Sequence, residues 1–237
     1  MASLRSILVT GANQGLGFHT VQQLAQTENT LVFMGSRKLS NAKQAITKFV
    51  SEIHPSSLVV PVQLDITDEE SIRSATGTVE TALKERKLAG LDVLVNNAAV
   101  ATQSFQEVYA VNVTGTAAIT AALRPLLNKN GAIINMSSSL ASHAWHTKRP
   151  PPPIESPAYS SSKSALNHLT LIWAIEEEQR GHGVRVVSIC PGFNATKLSD
   201  YMGTIPPSEG ARIIVKTALE EGGQSGVYFN KEGLIEW

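Results

Sequence analysis

The chain has 237 residues, 42% apolar and only 5% aromatic, so its core is built from Val, Ile, Leu and Ala and is large enough to fold without staples. Twenty Lys and Arg balance twenty Asp and Glu, leaving no net field to recruit nucleic acid or an anionic membrane surface. The single cysteine, Cys190, excludes an intramolecular disulfide and suits a reducing compartment.

Along the chain, short β-branched runs alternate with longer segments of helical period. Met1 to Thr10 carries one Arg and an apolar run too short for a secretory leader. No later stretch reaches the length of a membrane span, so a soluble cytoplasmic protein is expected. Strands are predicted at Ser6 to Val9, Thr30 to Gly35, Leu58 to Gln63, Leu91 to Val95, Ala132 to Met136, Arg185 to Ile189 and Gly226 to Phe229. Several are apolar at consecutive positions, as strands covered on both faces are. Helices are predicted at Gly15 to Thr27, Asn41 to Ile53, Glu69 to Arg86, Phe105 to Leu127, Pro157 to Arg180 and Ser208 to Glu221. This alternation predicts an α/β fold, a Rossmann-like doubly wound parallel sheet, in one domain spanning residues 1–237. The stretch Ser142 to Pro157 breaks the rhythm. Its four consecutive prolines, Pro150 to Pro153, fit an extended loop, with a proline-rich adaptor ligand as the alternative.

Thr10-Gly11-Ala12-Asn13-Gln14-Gly15-Leu16-Gly17 joins the first strand to the first helix. Glycines there allow a tight turn and close approach of a pyrophosphate, which the free N–H groups of a helix N-terminus attract. Selection of NAD needs a carboxylate at the end of the second strand for the ribose 2′-hydroxyl. Phe33 to Lys38 has none; Ser36 and Arg37 offer a hydroxyl and a guanidinium to a 2′-phosphate instead. NADP(H) is therefore the expected cofactor. Tyr159 and Lys163 sit four residues apart, which on a helix stacks them on one face. An ammonium beside a phenol favours the phenolate and makes the phenol a better proton donor to a developing alkoxide. Three serines, Ser137 to Ser139, close the fifth strand.

These motifs resemble the short-chain dehydrogenase/reductase family: Thr10-Gly11-x-x-x-Gly15-x-Gly17, Asp65-Ile66-Thr67, Asn96-Asn97-Ala98-Ala99, Asn112, Ser138, Tyr159-x-x-x-Lys163 and Pro191-Gly192-x-x-x-Thr196. The family order is kept across nearly the whole chain, although Ala99 stands where Gly is usual and Gln14 where some NADP-preferring relatives carry a basic residue. The resemblance implies a catalytic set of Ser138, Tyr159, Lys163 and Asn112, with Ser137 and Ser139 as competitors for the serine role. It implies an adenine contact at Asp65 and Ile66, with a helix cap as the alternative for Asp65 and Asp68 the better cap for the next helix. It further implies cofactor contacts at Gly11, Asn13, Gln14, Gly15, Leu16, Gly17, Ser36, Arg37, Asn97, Ala98, Tyr159, Lys163, Pro191, Gly192 and Thr196. Asn112 is expected to kink a helix and orient a relay water. The long interval between Ser138 and Tyr159 resembles the carbonyl reductase branch, which implies hydride transfer from NADPH to a small-molecule ketone, aldehyde or quinone. A sensor that binds NADP(H) without turnover is the alternative.

Phe193, Tyr201, Met202, Trp145 and His143 are candidates for an apolar substrate wall. No metal site is expected, since His143 and His146 have no further partner at ligand spacing. Leu169 and Trp173 look exposed on the Pro157 to Arg180 helix, which leaves monomer and homodimer both open.

Overall fold

A computed structural model describes residues 4–150 and 156–237; the remainder of the proline run beyond Pro150 lies outside them. In chain order the elements are β1 (Arg5–Val9), α1 (Gly15–Gln26), β2 (Thr30–Ser36), α2 (Leu39–Thr47), β3 (Leu58–Gln63), α3 (Glu69–Glu85), β4 (Leu91–Asn96), α4 (Phe105–Tyr109), α5 (Thr116–Leu123), β5 (Leu127–Met136), α6 (His143–His146), α7 (Pro157–Arg180), β6 (Arg185–Ile189), α8 (Pro207–Leu219), β7 (Val227–Asn230) and β8 (Gly233–Leu234).

The strands form one sheet in the order β3-β2-β1-β4-β5-β6-β7-β8. Every pairing is parallel except β7 with β8. Side chains alternate across it. Ile7 and Val9 face a layer formed by Val21 and Leu24 of α1, Ala42 of α2 and Ile214 of α8. Leu8 faces the opposite layer, with Ile72 and Val79 of α3 and Ile119 of α5. On that second face Leu166 and Trp173 of α7 cover Ile133 and Val186. Trp173 is thus core, 7% exposed, and Leu169 packs on the same cluster. The apolar residues that α7 does expose are Ile172 and Ile175.

The order in which strands are added to the sheet reverses between β1 and β4, which are parallel neighbours although α1, β2, α2, β3 and α3 lie between them in sequence. At such a switch point the loops leaving adjacent strands diverge to opposite faces and open a crevice at the carboxyl edge.

The expected extended loop begins instead as one helical turn, α6, which the Ser142 hydroxyl caps by accepting from Trp145 N–H, and three of the predicted elements differ in their bounds, each for a local reason. The helix expected over Phe105 to Leu127 is α4 and α5 joined by a π-turn, Ala110–Gly115. A Cβ on Gly115 would lie 2.7 Å from the Ile66 carbonyl, so the helix passes hard against the exit of β3. After a 3₁₀ turn at Arg124–Leu126 the chain is already strand, and β5 pairs Leu127 with Leu91 before a register shift. The Asn41 to Ile53 helix ends at Thr47, because the chain turns to bury Phe49 against Phe18 of α1, with ring centroids 5.5 Å apart.

Candidate active site

The crevice is a cleft of about 1010 Å³. Its cofactor half begins where β1 ends. Gly11 and Gly15 have φ of +61° and +57°, where side chains are strained. A Cβ on Gly11 would lie 2.8 Å from Ala98 Cα, and one on Gly17 2.5 Å from Asn97 Nδ2. The glycine turn is thus pressed against the end of β4. Thr10 fastens the two: its hydroxyl oxygen accepts from the N–H of Asn97 at 3.0 Å and of Ala98 at 2.9 Å, while Asn97 Nδ2 donates to the Thr10 carbonyl at 2.8 Å. Gln14 precedes α1 without capping it, and no acidic residue sits in the first turn. The free N–H groups of this helix therefore remain available to an anion. Helix α3 is the contrast, since Asp68 accepts from the N–H of Glu70 and Ser71.

Gly11, Asn13, Gln14, Gly15, Leu16, Asp65, Ile66, Asn97 and Ala98 all line the cleft. Gly17 is buried beneath it. Asp65 ties one carboxylate oxygen to Thr67, at 3.0 Å from its N–H and 2.7 Å from its hydroxyl. Arg37 lines the far end of the cleft and is exposed. Ser36 does not share that position. It is 1% exposed, and its hydroxyl donates to Asn13 Oδ1 at 3.1 Å. Ser36 is therefore a prop under Asn13 rather than an open donor, because the last residue of an interior strand points into the core. His19, which no motif signalled, also lines this half.

The other half is built by the end of β5, the start of α7 and the loop after β6. Ser138, Tyr159 and Lys163 line it together. The serine ambiguity narrows on geometry: Ser137 is buried and spends its hydroxyl on Asn167 Oδ1 at 2.7 Å. Ser138 caps the short turn Ser139–Ala141, its Oγ accepting from Leu140 N–H at 3.3 Å, and its side chain stands beside the Tyr159 hydroxyl. Lys163 is 2% exposed; its Nζ lies 5.6 Å from the Tyr159 ring centre and donates to the Met136 carbonyl at 2.7 Å.

The electrostatics differ from the sequence expectation. Burial pushes the Tyr159 phenol up, the Cys190 thiol reinforces this, and the adjacent Ser138 side chain opposes it. Burial also lowers Lys163 to about 8. Desolvation of both groups outweighs the attraction of ammonium for phenolate, so Tyr159 rests as a neutral phenol.

Asn112 lies inside the π-turn, fully buried and off the cleft wall. Its carboxamide holds Val100 in both directions at 2.9 Å and donates to Ser162 Oγ at 3.1 Å. The helix is interrupted at this residue, and the Ser162 contact fastens α7 one residue before Lys163. Pro191, Gly192 and Thr196 line the cleft after β6, and the Thr196 methyl comes within 3.4 Å of a Cβ built on Gly15. Of the candidate wall residues, Trp145, Phe193 and Tyr201 line the cleft, whereas His143 and Met202 do not. Neither Cys190 nor Tyr228 stands among the site residues expected from the sequence. Cys190 lines the cleft and its Sγ accepts from Ser139 N–H at 3.2 Å; Tyr228 lies directly behind Ser138.

Comparison with known proteins gives the same answer as the geometry. A family model described as short chain dehydrogenase matches residues 5–204. The chain is 33% identical to a short-chain dehydrogenase of Penicillium roqueforti, over 90% of this chain and 88% of that one. Carbonyl reductase [NADPH] 1 of Macaca fascicularis is 26% identical, over 100% and 99% of the two chains. The NADPH-bound carbonyl reductase from chicken fatty liver superposes with a TM-score of 0.78 at 28% identity, covering the full length of both. With its motifs gathered on one cleft and most of its length matched, this chain belongs to the short-chain dehydrogenase/reductase family of oxidoreductases.

Proposed function

We propose that the protein is an NADPH-dependent reductase of a ketone, aldehyde or quinone. The observation that carries the reading is the juxtaposition at one end of the cleft of Ser138, Tyr159 and Lys163, with the exposed guanidinium of Arg37 at the other end. The uncapped N-terminus of α1 and the close-packed glycine turn fit a pyrophosphate. Arg37 fits a 2′-phosphate, and no carboxylate stands at the end of β2 to select the free hydroxyl. When bound, the cofactor supplies hydride to the carbonyl carbon.

The chain supplies the rest. Ser138 donates a hydrogen bond to the substrate oxygen and stabilises the negative charge that develops there. Tyr159, kept neutral by burial, donates its proton to that oxygen, which as an alkoxide is far more basic than a phenolate. A neutral phenol is the form that reduction requires, whereas oxidation of an alcohol would start from the phenolate. Lys163 reaches into the cleft from the same face of α7, stabilises the phenolate left behind and holds the nicotinamide ribose. Asn112 braces the helix that carries both residues.

The test is a panel of ketones, aldehydes and quinones with NADPH and NADH in parallel, following cofactor absorbance and alcohol product. One alcohol formed per NADPH consumed supports the reading. Tight NADPH binding with no turnover on any carbonyl would point to a sensor instead.

A further inference from the structure

Behind the serine stands a residue outside all the motifs above. Tyr228, in the middle of β7, is 1% exposed, and its hydroxyl donates to the main-chain carbonyl of Ser138 at 2.5 Å. Burial pushes this phenol up, so it stays a donor across the working pH range. Its ring packs against Trp237, with centroids 5.4 Å apart and planes 34° from parallel. Trp237 is itself held by the α6 wall, its carbonyl accepting from Ala144 N–H at 3.0 Å, while the Glu236 carbonyl accepts from Ser142 Oγ at 2.6 Å.

The turn that presents Ser138 is therefore gripped at three successive residues by the β6–β7 side of the sheet. Ser137 N–H donates to the Ile189 carbonyl at 2.7 Å, the Ser138 carbonyl accepts from the Tyr228 hydroxyl, and Ser139 N–H donates to Cys190 Sγ. The Ser138 hydroxyl is less firmly held on its main-chain side, where Leu140 N–H is at 3.3 Å, and on the cleft side it faces Tyr159. Its direction follows from the backbone beneath it. A strand that has already crossed the active-site edge thus fixes the geometry of a group that must meet the substrate oxygen.

We infer that Tyr228 is a positioning residue for the reaction: its hydroxyl sets the backbone at Ser138 and so aims the Ser138 hydroxyl at the substrate oxygen. The inference rests on the reductase reading. Tyr228→Phe is the direct test. Phe keeps the ring against Trp237, and the Ser138 carbonyl retains the N–H of Ala141 at 2.8 Å, so no acceptor is orphaned and a folded protein is expected, checked by circular dichroism.

Two measurements are made on the full chain. Amide hydrogen exchange should quicken in residues 138–141 and stay unchanged in α7. Turnover should fall about 10-fold in kcat, the scale of a misaimed group, with NADPH affinity within two-fold (~0.4 kcal/mol). In a Ser138→Ala background the same substitution should cost nothing further, because Tyr228 acts through Ser138. Unchanged exchange, an unchanged kcat, or an equal loss with and without Ser138 would each overturn the inference. A parent protein inactive on every carbonyl would count against the reductase reading, and exchange alone would then decide whether Tyr228 holds the turn.

Discussion

Lys163 is a fully buried amine with one main-chain partner, the Met136 carbonyl, and this makes the empty protein's stability depend on pH in an unusual direction. In the fold its proton leaves at about 8, in place of the ordinary 10.5. Below pH 8 both folded and unfolded chains carry the charge, and the full desolvation cost is present. Between the two values the unfolded chain binds more protons, so stability rises with pH. At about 1.36 kcal/mol per pH unit, the gain from pH 7 to pH 10 is about 2–3 kcal/mol. Tyr159 and Tyr228 act oppositely, but only above about pH 10, where the unfolded phenols ionise while the buried ones, pushed up, do not. The assay is urea unfolding of the cofactor-free protein from pH 7 to 10, beside Lys163→Met, which fills the same space without a charge. The wild-type curve should climb relative to the variant by that amount. Parallel curves would show that Lys163 is not desolvated in the fold, and the electrostatic reading of the site would fail with it.

Arg37→Ala should raise the Kd for NADPH by about 10- to 100-fold and leave that for NADH nearly unchanged, because a charge-assisted phosphate contact is worth roughly 1.5–3 kcal/mol; equilibrium fluorescence titration of both cofactors checks it. Gly17→Ala should weaken binding of either cofactor and cost about 1–3 kcal/mol of stability, since its methyl would meet Asn97 Nδ2 and the backbone of Ala12 and Gly11; thermal melts and the same titrations report both effects. Trp145→Ala should change the ranking of bulky over small carbonyls by kcat/KM while NADPH affinity stays within two-fold (~0.4 kcal/mol), because Trp145 lines the cleft on the α6 wall. An unchanged ranking would move substrate choice to Phe193 and Tyr201 after β6.

The parallel sheet was legible because its interior strands, such as Ile7 to Val9 and Ile133 to Ile134, are apolar on both faces. The cofactor turn was legible because glycines were needed where the backbone had to approach Ala98 and Asn97. What stayed hidden depends on contacts distant in sequence. Leu127 reads as the end of a helix with Asn128 to Gly131 a polar connection, and only pairing with Leu91 makes Leu127 the start of a strand. Ser36 reads as a phosphate donor until its strand position turns the hydroxyl inward to Asn13. Trp173 reads as surface until Ile133 and Val186 are seen beneath it. The mutual influence of Tyr159 and Lys163 follows from their spacing, but their burial does not, and burial decides the protonation state of both. Tyr228 acts across 90 positions of sequence, and no local pattern announces such a contact.

The claim on which the account turns is that Tyr159 delivers the proton to the substrate oxygen. Tyr159→Phe removes that proton and little else, since the ring remains on α7 above Lys163. With the best carbonyl from the panel, single-turnover reduction by bound NADPH should slow by about 10²- to 10⁴-fold, the usual worth of a positioned acid. NADPH affinity should hold within about two-fold (~0.4 kcal/mol). A Phe variant that still formed alcohol at a rate within about ten-fold (~1.4 kcal/mol) of the parent would contradict the account and require another proton donor.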